Sequence, residues 1–516
     1  MKQVQNLKEH LQRHFNYSSF YTGQKEIIAD ILNGKDVLGI LPTGSGKSLC
    51  YQLPAKMLPG TTIVISPLIS LMIDQVKQLK AIQFKEVIAL NSFIPLEKRK
   101  TYYQKLHSYK LIYMSPEFLQ HDEVISRLKK IQISLFVIDE AHCISQWGHE
   151  FRPDYLKIVN VISELNDPPV LALSATATEE IQQDIITSLN RSNMVKHIYP
   201  MDKENIVFAI KVVQDEEEKN AKLLNVLKKH HIPTIIYFSS RQKAEQTAKT
   251  IRDHLMSRRI AYYHGGMEQT ERILVQQQFM NDQIDIICCT SAFGMGINKK
   301  NIRLVIHYHI PQQIESFIQE VGRAGRDGKE SVSLMYYCPN DEQIHTQLIN
   351  NDFPTENEIE AVFSKLYDLR MRKKFNLRQF ENIIQESQIN EIHWRFLHYQ
   401  MESHGIINNN TVRYDYTLWK NAYEDILQLI HTRKQVKRKK LHEMITWVHE
   451  KVCLRKQLYI KFQEKIKQPT TFCCSNCDFS LHDWSLTKPV QKDETIESWE
   501  YQLERILRIG VKNETS

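Results

Sequence analysis

Two short stretches of this chain carry residues whose types and order suit phosphoryl chemistry. The first, Leu41-Pro42-Thr43-Gly44-Ser45-Gly46-Lys47-Ser48, follows an apolar run. Its glycines let the backbone approach phosphate oxygens with N–H groups turned inward, Lys47 supplies a point charge for the terminal phosphates, and Ser48 offers a hydroxyl to Mg²⁺. The second, Asp139-Glu140-Ala141-His142, ends the apolar run Leu135 to Ile138. Asp139 is suited to hold the metal, directly or through water. Glu140 is suited to polarise an attacking water, because hydrolysis needs a positioned base as well as charge neutralisation. Each alone has a plain structural reading: a Gly-rich turn, here with Leu41 in place of the first glycine of the general pattern, or an acidic helix cap. Both in this order imply ATP hydrolysis.

A third stretch, Gln319-Glu320-Val321-Gly322-Arg323-Ala324-Gly325-Arg326-Asp327-Gly328, holds two guanidiniums three positions apart on one helical face. Facing the phosphate loop across a cleft, one of them can act as an arginine finger that stabilises charge during phosphoryl transfer. The plain alternative is a surface helix laced with salt bridges.

These groups need rigid elements to hold them. From Asp36 to Thr176, short apolar runs (Val37 to Leu41, Thr62 to Ile65, Leu111 to Met114, Leu135 to Ile138, Val170 to Leu173) alternate with helix-like stretches. That rhythm predicts a parallel, doubly wound α/β sheet. After a charged stretch, Lys211 to Asn220, it returns in Thr234 to Phe238, Ala261 to Tyr263, Ile284 to Cys289, Leu304 to His307 and Ser333 to Tyr337. Two α/β lobes joined near residue 205 follow, over 1–205 and 206–345. Beyond them the strands fade. Helical patterns at Glu356 to Arg370, Leu377 to Glu386 and His393 to His404 lead to a short Gly405 to Tyr416 stretch, which reads as a winged-helix-like module over 350–430 or as a helical bundle. A basic helical segment spans 431–482 and a tail 483–516.

The 516 residues are too many for one core. With 42% hydrophobic and 25% charged residues the composition is that of a globular protein. The absence of a long apolar stretch and of a signal-like amino terminus predicts no membrane association and a cytoplasmic location. Nine cysteines in so long a chain are no disulfide framework and fit a reducing compartment. The net charge is +7, yet His431 to Lys467 alone is formally +9, with 12 Lys and Arg against three Glu. Such a concentration is either a polyanion-binding surface or a solvated helix face.

With these motifs in order, the chain resembles the RecQ family of superfamily 2 DNA helicases from about Leu11 through Gly328. The resemblance rests on Phe20 and Gln24 of the adenine motif, the phosphate loop, Ser66-Pro67-Leu68-Ile69-Ser70-Leu71-Met72, Met114-Ser115-Pro116-Glu117 and Asp139-Glu140-Ala141-His142. It extends through Leu173-Ser174-Ala175-Thr176-Ala177-Thr178, Tyr237-Phe238-Ser239-Ser240-Arg241, His264-Gly265-Gly266-Met267, Ala292-Phe293-Gly294-Met295-Gly296-Ile297-Asn298-Lys299 and the arginine motif. It implies two RecA-like lobes that close on ATP and Mg²⁺, and 3′-to-5′ movement on single-stranded DNA that opens tailed duplexes in repair, recombination or replication. A nucleoid-associated location, and a single-strand-binding protein and other repair proteins as partners, are implied too. Gln24, Thr43, Gly44, Ser45, Gly46, Lys47 and Ser48 would bind ATP. Lys47, Asp139, Glu140, Gln319, Arg323 and Arg326 would form the catalytic set.

Cys143 through Tyr155 is similar to the family's aromatic-rich loop. Trp147 and Phe151 can stack on bases, a sequence-indifferent contact, and Arg152 can pair with phosphate, which would couple strand occupancy to Glu140. The plain reading is aromatics filling a core. The family's zinc module, C-x(16)-C-x2-C-D-x-C, has counterparts in Cys453, Cys473, Cys474 and Cys477, with Asp478 kept and Ser480 where the last Cys belongs. Adjacent thiolates strain a tetrahedron, so either Cys473 or His482 supplies the fourth ligand, or the site is vestigial. Tyr21 stands where the family has Arg and Val321 where it has Thr. Residues 350–430 fill what is usually a shorter link, and the stretch after Cys477 is too short for the usual second winged helix and the HRDC domain. The expectation is a short, rearranged member without HRDC. An RNA helicase and a DNA-binding scaffold with a silent ATPase are the rival readings.

Overall fold

The computed structural model describes residues 6–91, 94–145, 153–294, 297, 299–369, 389–408, 411–463, 466–482 and 484. Two all-parallel sheets organise it, as the alternation of apolar runs and helices predicts. The first is seven-stranded in the order β3-β4-β2-β5-β6-β1-β7. Its strands are β1 (Val37–Ile40), β2 (Thr61–Ile65), β3 (Val87–Leu90), β4 (Leu111–Met114), β5 (Ile133–Ile138), β6 (Val170–Ser174) and β7 (Val195–Ile198). The second is six-stranded in the order β10-β11-β9-β12-β13-β8, built from β8 (Ile206–Val212), β9 (Thr234–Tyr237), β10 (Ile260–Tyr263), β11 (Ile286–Cys289), β12 (Leu304–His307) and β13 (Ser331–Tyr337). Central strands such as Val-Leu-Gly-Ile of β1 are buried along their whole length, because helices cover both faces of a parallel sheet.

Three strands are absent from the expected set, each for a physical reason. β3 and β7 lie at the ends of the first sheet with one strand neighbour each; β3 is only four residues long though mostly buried, and β7 alternates half-buried with exposed residues. β8 runs into the charged stretch after Lys211, so its exposed end disguises an otherwise buried strand.

Beyond the lobes, the helices Glu356–Leu369 and Glu391–Ser403, the two-stranded ribbon β14 (Ile407–Asn408) and β15 (Thr411–Val412), and the start of the 33-residue helix Tyr416–Val448 share a separate core. The helix expected at Leu377 to Glu386 lies outside the described residues. The boundary drawn at 430/431 falls inside the long helix, which is capped by Asp415 accepting from Leu418 N at 3.0 Å. Its first half gives Trp419, Ala422, Ile426 and Ile430 to the module core, and its second half gives Leu441, Met444, Trp447 and Val448 to the core shared by the lobes. One helix thus joins two cores. Ile426→Ala, emptying a fully buried site, is expected to cost about 2–5 kcal/mol. Urea unfolding followed by the fluorescence of Trp394 and Trp419 should show the module melting at lower denaturant.

Candidate functional site

Strand β1 delivers the chain to the phosphate loop, and the Leu41 N–H donates to Ser174 O at 3.1 Å, tying the loop's first residue to the end of β6. Gly44 (φ +86°) and Gly46 (φ +70°) adopt left-handed backbone that a side chain would strain, and a Cβ on Gly46 would lie 2.8 Å from Gln24 Nε2. That amide is the loop's clamp. Gln24 Nε2 donates to Ser45 O and Gly46 O, both at 2.9 Å, while its Oε1 accepts from Tyr21 N at 2.9 Å. Both ends of the Gln24 amide are therefore taken up by backbone groups, its Nε2 by the loop and its Oε1 by Tyr21.

Asp139 and Glu140 emerge from β5 into the same cleft, both nearly buried. Glu140 sits at φ +51°, a left-handed conformation that costs a non-glycine residue free energy and is concentrated at functional positions. Its Oε2 has no hydrogen-bond partner among the described residues and lies 3.5 Å from His142 Nδ1. His142 bonds Ser174 Oγ at 3.0 Å, and Ser174 Oγ donates to Thr176 O at 3.1 Å. Hydrogen bonds thus join the acidic motif directly to the Ser-Ala-Thr motif, a contact the sequence motifs alone do not display. Burial, reinforced by the Glu140 carboxylate, raises the Asp139 pKa, and Lys47 pulls it back.

A cleft of about 530 Å³ between the lobes collects the expected groups. Gln24, Thr43, Gly44, Gly46, Lys47, Ser48, Asp139 and Glu140 line one wall, and Gln319, Arg323 and Arg326 line the other. Lys300, unremarked in the sequence reading, lines it too. The walls are close: a Cβ on Gly44 would lie 3.2 Å from Arg326 Cγ, and one on Gly322 would lie 2.9 Å from Thr43 Cβ. The two arginines differ. Arg323 turns back to bond Gly294 O within its own lobe, whereas Arg326 leans on the phosphate loop. Burial, with Arg323 beside it, lowers the Arg326 pKa to about 10, so the guanidinium stays charged at neutral pH. Lys203, on the chain between the lobes, is lowered to about 7 by burial and by Arg326 and Arg323. The Ser48 hydroxyl and Asp139 carboxylate are hard oxygen donors of the kind Mg²⁺ takes.

Trp147, Phe151 and Arg152 lie outside the described residues, and described residues on either side of them are held within the first lobe. Ser145 Oγ donates to Asp184 Oδ2 at 2.6 Å on one side, and Tyr155 OH donates to Asp139 O at 3.2 Å on the other.

The basic stretch is partly structural. Lys437 pairs with Asp352, Lys440 with Glu315, Lys461 with Glu443 and Arg455 with Asp202, and the half-buried Arg433 lies over the Phe396 ring. Arg438, Lys439, Lys451 and Lys456 are exposed, so the surface open to a polyanion is smaller than the formal charge suggests.

Cys453, Cys473, Cys474 and Cys477 bring their Sγ atoms within 4.8 Å of one another, with 3.5 Å between Cys453 and Cys473 and between Cys474 and Cys477. Tetrahedral Zn²⁺ with Zn–S bonds of about 2.3 Å sets thiolates roughly 3.8 Å apart, so the donor set fits one zinc ion. The adjacent pair both reach inward because the backbone bridges β8: Phe208 N donates to Cys473 O at 3.3 Å and Ser475 N to Phe208 O at 2.8 Å. His482 is not in the cluster; its carbonyl accepts from Lys229.

Residues 21–184 match the DEAD/DEAH box helicase family, 218–328 the helicase conserved C-terminal domain and 414–481 the RecQ zinc-binding family. The chain is 40% identical over 511 residues to the probable ATP-dependent DNA helicase RecS of Bacillus subtilis, covering 98% of this chain and 99% of that one. It is 44% identical over 329 residues to the ATP-dependent DNA helicase RecQ of Haemophilus influenzae, which is 63% of this chain and 52% of that relative. Among solved structures, the DEAD-box helicase Mss116 bound to single-stranded RNA superposes with a TM-score of 0.56 at 15% identity, over 85% of this chain and 90% of that one. The Mycobacterium smegmatis helicase Lhr bound to single-stranded DNA superposes with 0.55 at 16% identity, over 82% and 62%. At such identities these two structures speak for the fold alone.

Proposed function

Since the chain belongs to the RecQ family of ATP-dependent DNA helicases, we propose that it couples ATP hydrolysis in the interlobe cleft to 3′-to-5′ movement along single-stranded DNA and so unwinds tailed duplexes. The observation that carries this reading is the meeting of Lys47, Ser48, Asp139 and Glu140 with Gln319, Arg323 and Arg326 around one cleft.

The N–H groups of Thr43 through Ser48 cradle the phosphates, and Lys47 contacts the terminal ones. Ser48 and Asp139 would hold Mg²⁺, which would supply charge neutralisation for the phosphates. Glu140, which lines the cleft together with Gln319, takes the proton of the attacking water. Arg326 stabilises the charge that develops on the transferred group, and Arg323 holds the arginine motif to its lobe through Gly294. Gln24, whose amide now holds Ser45 O and Gly46 O, exchanges those bonds for the adenine edge and thereby frees the loop backbone when nucleotide arrives. Cys453, Cys473, Cys474 and Cys477 would hold Zn²⁺, which would stabilise the fold of the carboxyl-terminal region. No helix among the described residues is long and apolar enough to cross a membrane, and we place the protein at the nucleoid, where repair, recombination and a single-strand-binding protein meet DNA.

ATP hydrolysis by the purified chain without nucleic acid, with single-stranded DNA and with single-stranded RNA, followed by unwinding of 3′- and 5′-tailed duplexes, tests the proposal. DNA-selective stimulation with opening of only the 3′-tailed substrate is expected. Stimulation by RNA alone points instead to an RNA motor, and no hydrolysis to a scaffold. Trp147→Ala should remove most of the stimulation by single-stranded DNA, as expected from losing a base-stacking contact of roughly 1–3 kcal/mol. Strong stimulation surviving that change would refute the role given to the loop.

A further inference from the structure

Building on the ATPase reading above, we infer that Arg455 is a positioning residue for the arginine motif: it clamps the chain joining the two lobes, and so links the state of the cysteine cluster to the placement of Arg323 and Arg326. The joining segment, 201–206, is gripped from one side by Arg455, Gln463, Lys467 and Thr470. Arg455 Nη1 bonds Asp202 Oδ1 and donates to Lys203 O at 3.0 Å, and its Nη2 bonds Ile206 O. Its guanidinium also lies 5.1 Å from the centre of the Phe208 ring. Lys467 N donates to the other Asp202 oxygen at 3.1 Å. Gln463 Oε1 accepts from Met201 N at 2.8 Å and Asp202 N at 3.3 Å, and Thr470 N donates to Glu204 O at 3.0 Å.

From its other side the same segment holds the arginine motif. Lys203 Nζ donates to Gly322 O at 2.6 Å, and Asn205 Nδ2 donates to Gly325 O at 2.8 Å. Those two carbonyls immediately precede Arg323 and Arg326. A shift of the joining segment therefore moves both guanidiniums relative to the phosphate loop.

The cysteine cluster fixes Arg455 in turn. Cys453 is the residue before the helix Leu454–Tyr459, and Leu454 N donates to Cys474 Sγ at 3.4 Å, so the thiolates set where that helix begins. Asp202 and Arg455 are almost completely buried. Burying two charges is costly even when they are paired, and the best-attested use of such a pair is to fix one register among several. A guanidinium spreads its fixed donors over three acceptors here, which a lysine's point charge could not do.

The test uses the full-length, zinc-loaded protein, with nucleotide sites counted by titration with a fluorescent ADP so that misfolded molecules are excluded. Arg455→Met is expected to cut kcat for ATP hydrolysis roughly tenfold to a hundredfold, the scale of a small misplacement of a catalytic group. The KM for ATP should stay within about twofold, because ground-state binding is untouched. Asp202→Asn, a smaller change, should move kcat in the same direction. Hydrogen exchange at the Met201 and Asp202 amides should speed up in Arg455→Met and, equally, in wild-type protein stripped of zinc by a chelator. Chelation should cost the wild type the same factor in kcat and the variant almost nothing more. Unchanged kcat in Arg455→Met, amides that exchange no faster, or chelation losses that multiply with those of the variant would each overturn the clamp. Should the wild type hydrolyse no ATP, the helicase reading fails, while the amide exchange still decides the clamp.

Discussion

Arg326→Ala is expected to lower kcat for ATP hydrolysis by about 10³–10⁵-fold, the range an arginine finger contributes. Arg326 is the arginine that crosses to the phosphate loop, within contact distance of Gly44, whereas Arg323 is spent on Gly294 O. Its role begins when charge develops on the transferred phosphoryl group, so nucleotide affinity should change little. Single-turnover hydrolysis beside equilibrium binding of a nucleotide analogue separates the two effects. Arg326→Lys should recover little, because an ammonium lacks the planar fork. If instead Arg326→Ala stays within tenfold of wild type and Arg323→Ala does not, the finger is Arg323.

Glu140→Gln should lower kcat by about 10²–10⁴-fold, the usual contribution of a positioned general base. The change is nearly isosteric, and Oε2 makes no hydrogen bond among the described residues, so the fold loses little and ATP remains bound. The backbone strain at φ +51° is the same for either side chain. Thermal unfolding should match wild type within a degree or two, and phosphate release under saturating ATP reads the loss. Hydrolysis close to the wild-type rate would place the base elsewhere.

Much of this site is legible in the sequence because its chemistry is local. A phosphate loop is contiguous, and so are Asp139-Glu140 and the arginine motif, so their order along the chain carries the assignment before any contact is known. The sheets are legible because central strands are uninterrupted apolar runs. What is not legible arises where distant residues share one environment. A separation of 253 positions between Asp202 and Arg455 hides a buried ion pair that composition counts as surface charge. Lys437, Lys440 and Lys461 look like a polyanion patch until their acidic partners, Asp352, Glu315 and Glu443, fold against them. The long helix reads as one element, and only packing reveals that its two ends serve different cores. His142 and Ser174 sit in separate motifs, and nothing in their spacing announces the 3.0 Å bond between them.

The backbone bridge between Phe208 and Cys474 has a bearing on solubility. β8 is the last strand of its sheet, and an unprotected outer strand presents a row of free N–H and C=O groups that another chain can extend. The cysteine-bearing segment covers part of that row, with Cys473, Ser475 and Phe208 satisfying one another's main-chain groups. The segment thereby keeps the outward main-chain groups of Phe208 from pairing with a neighbouring chain.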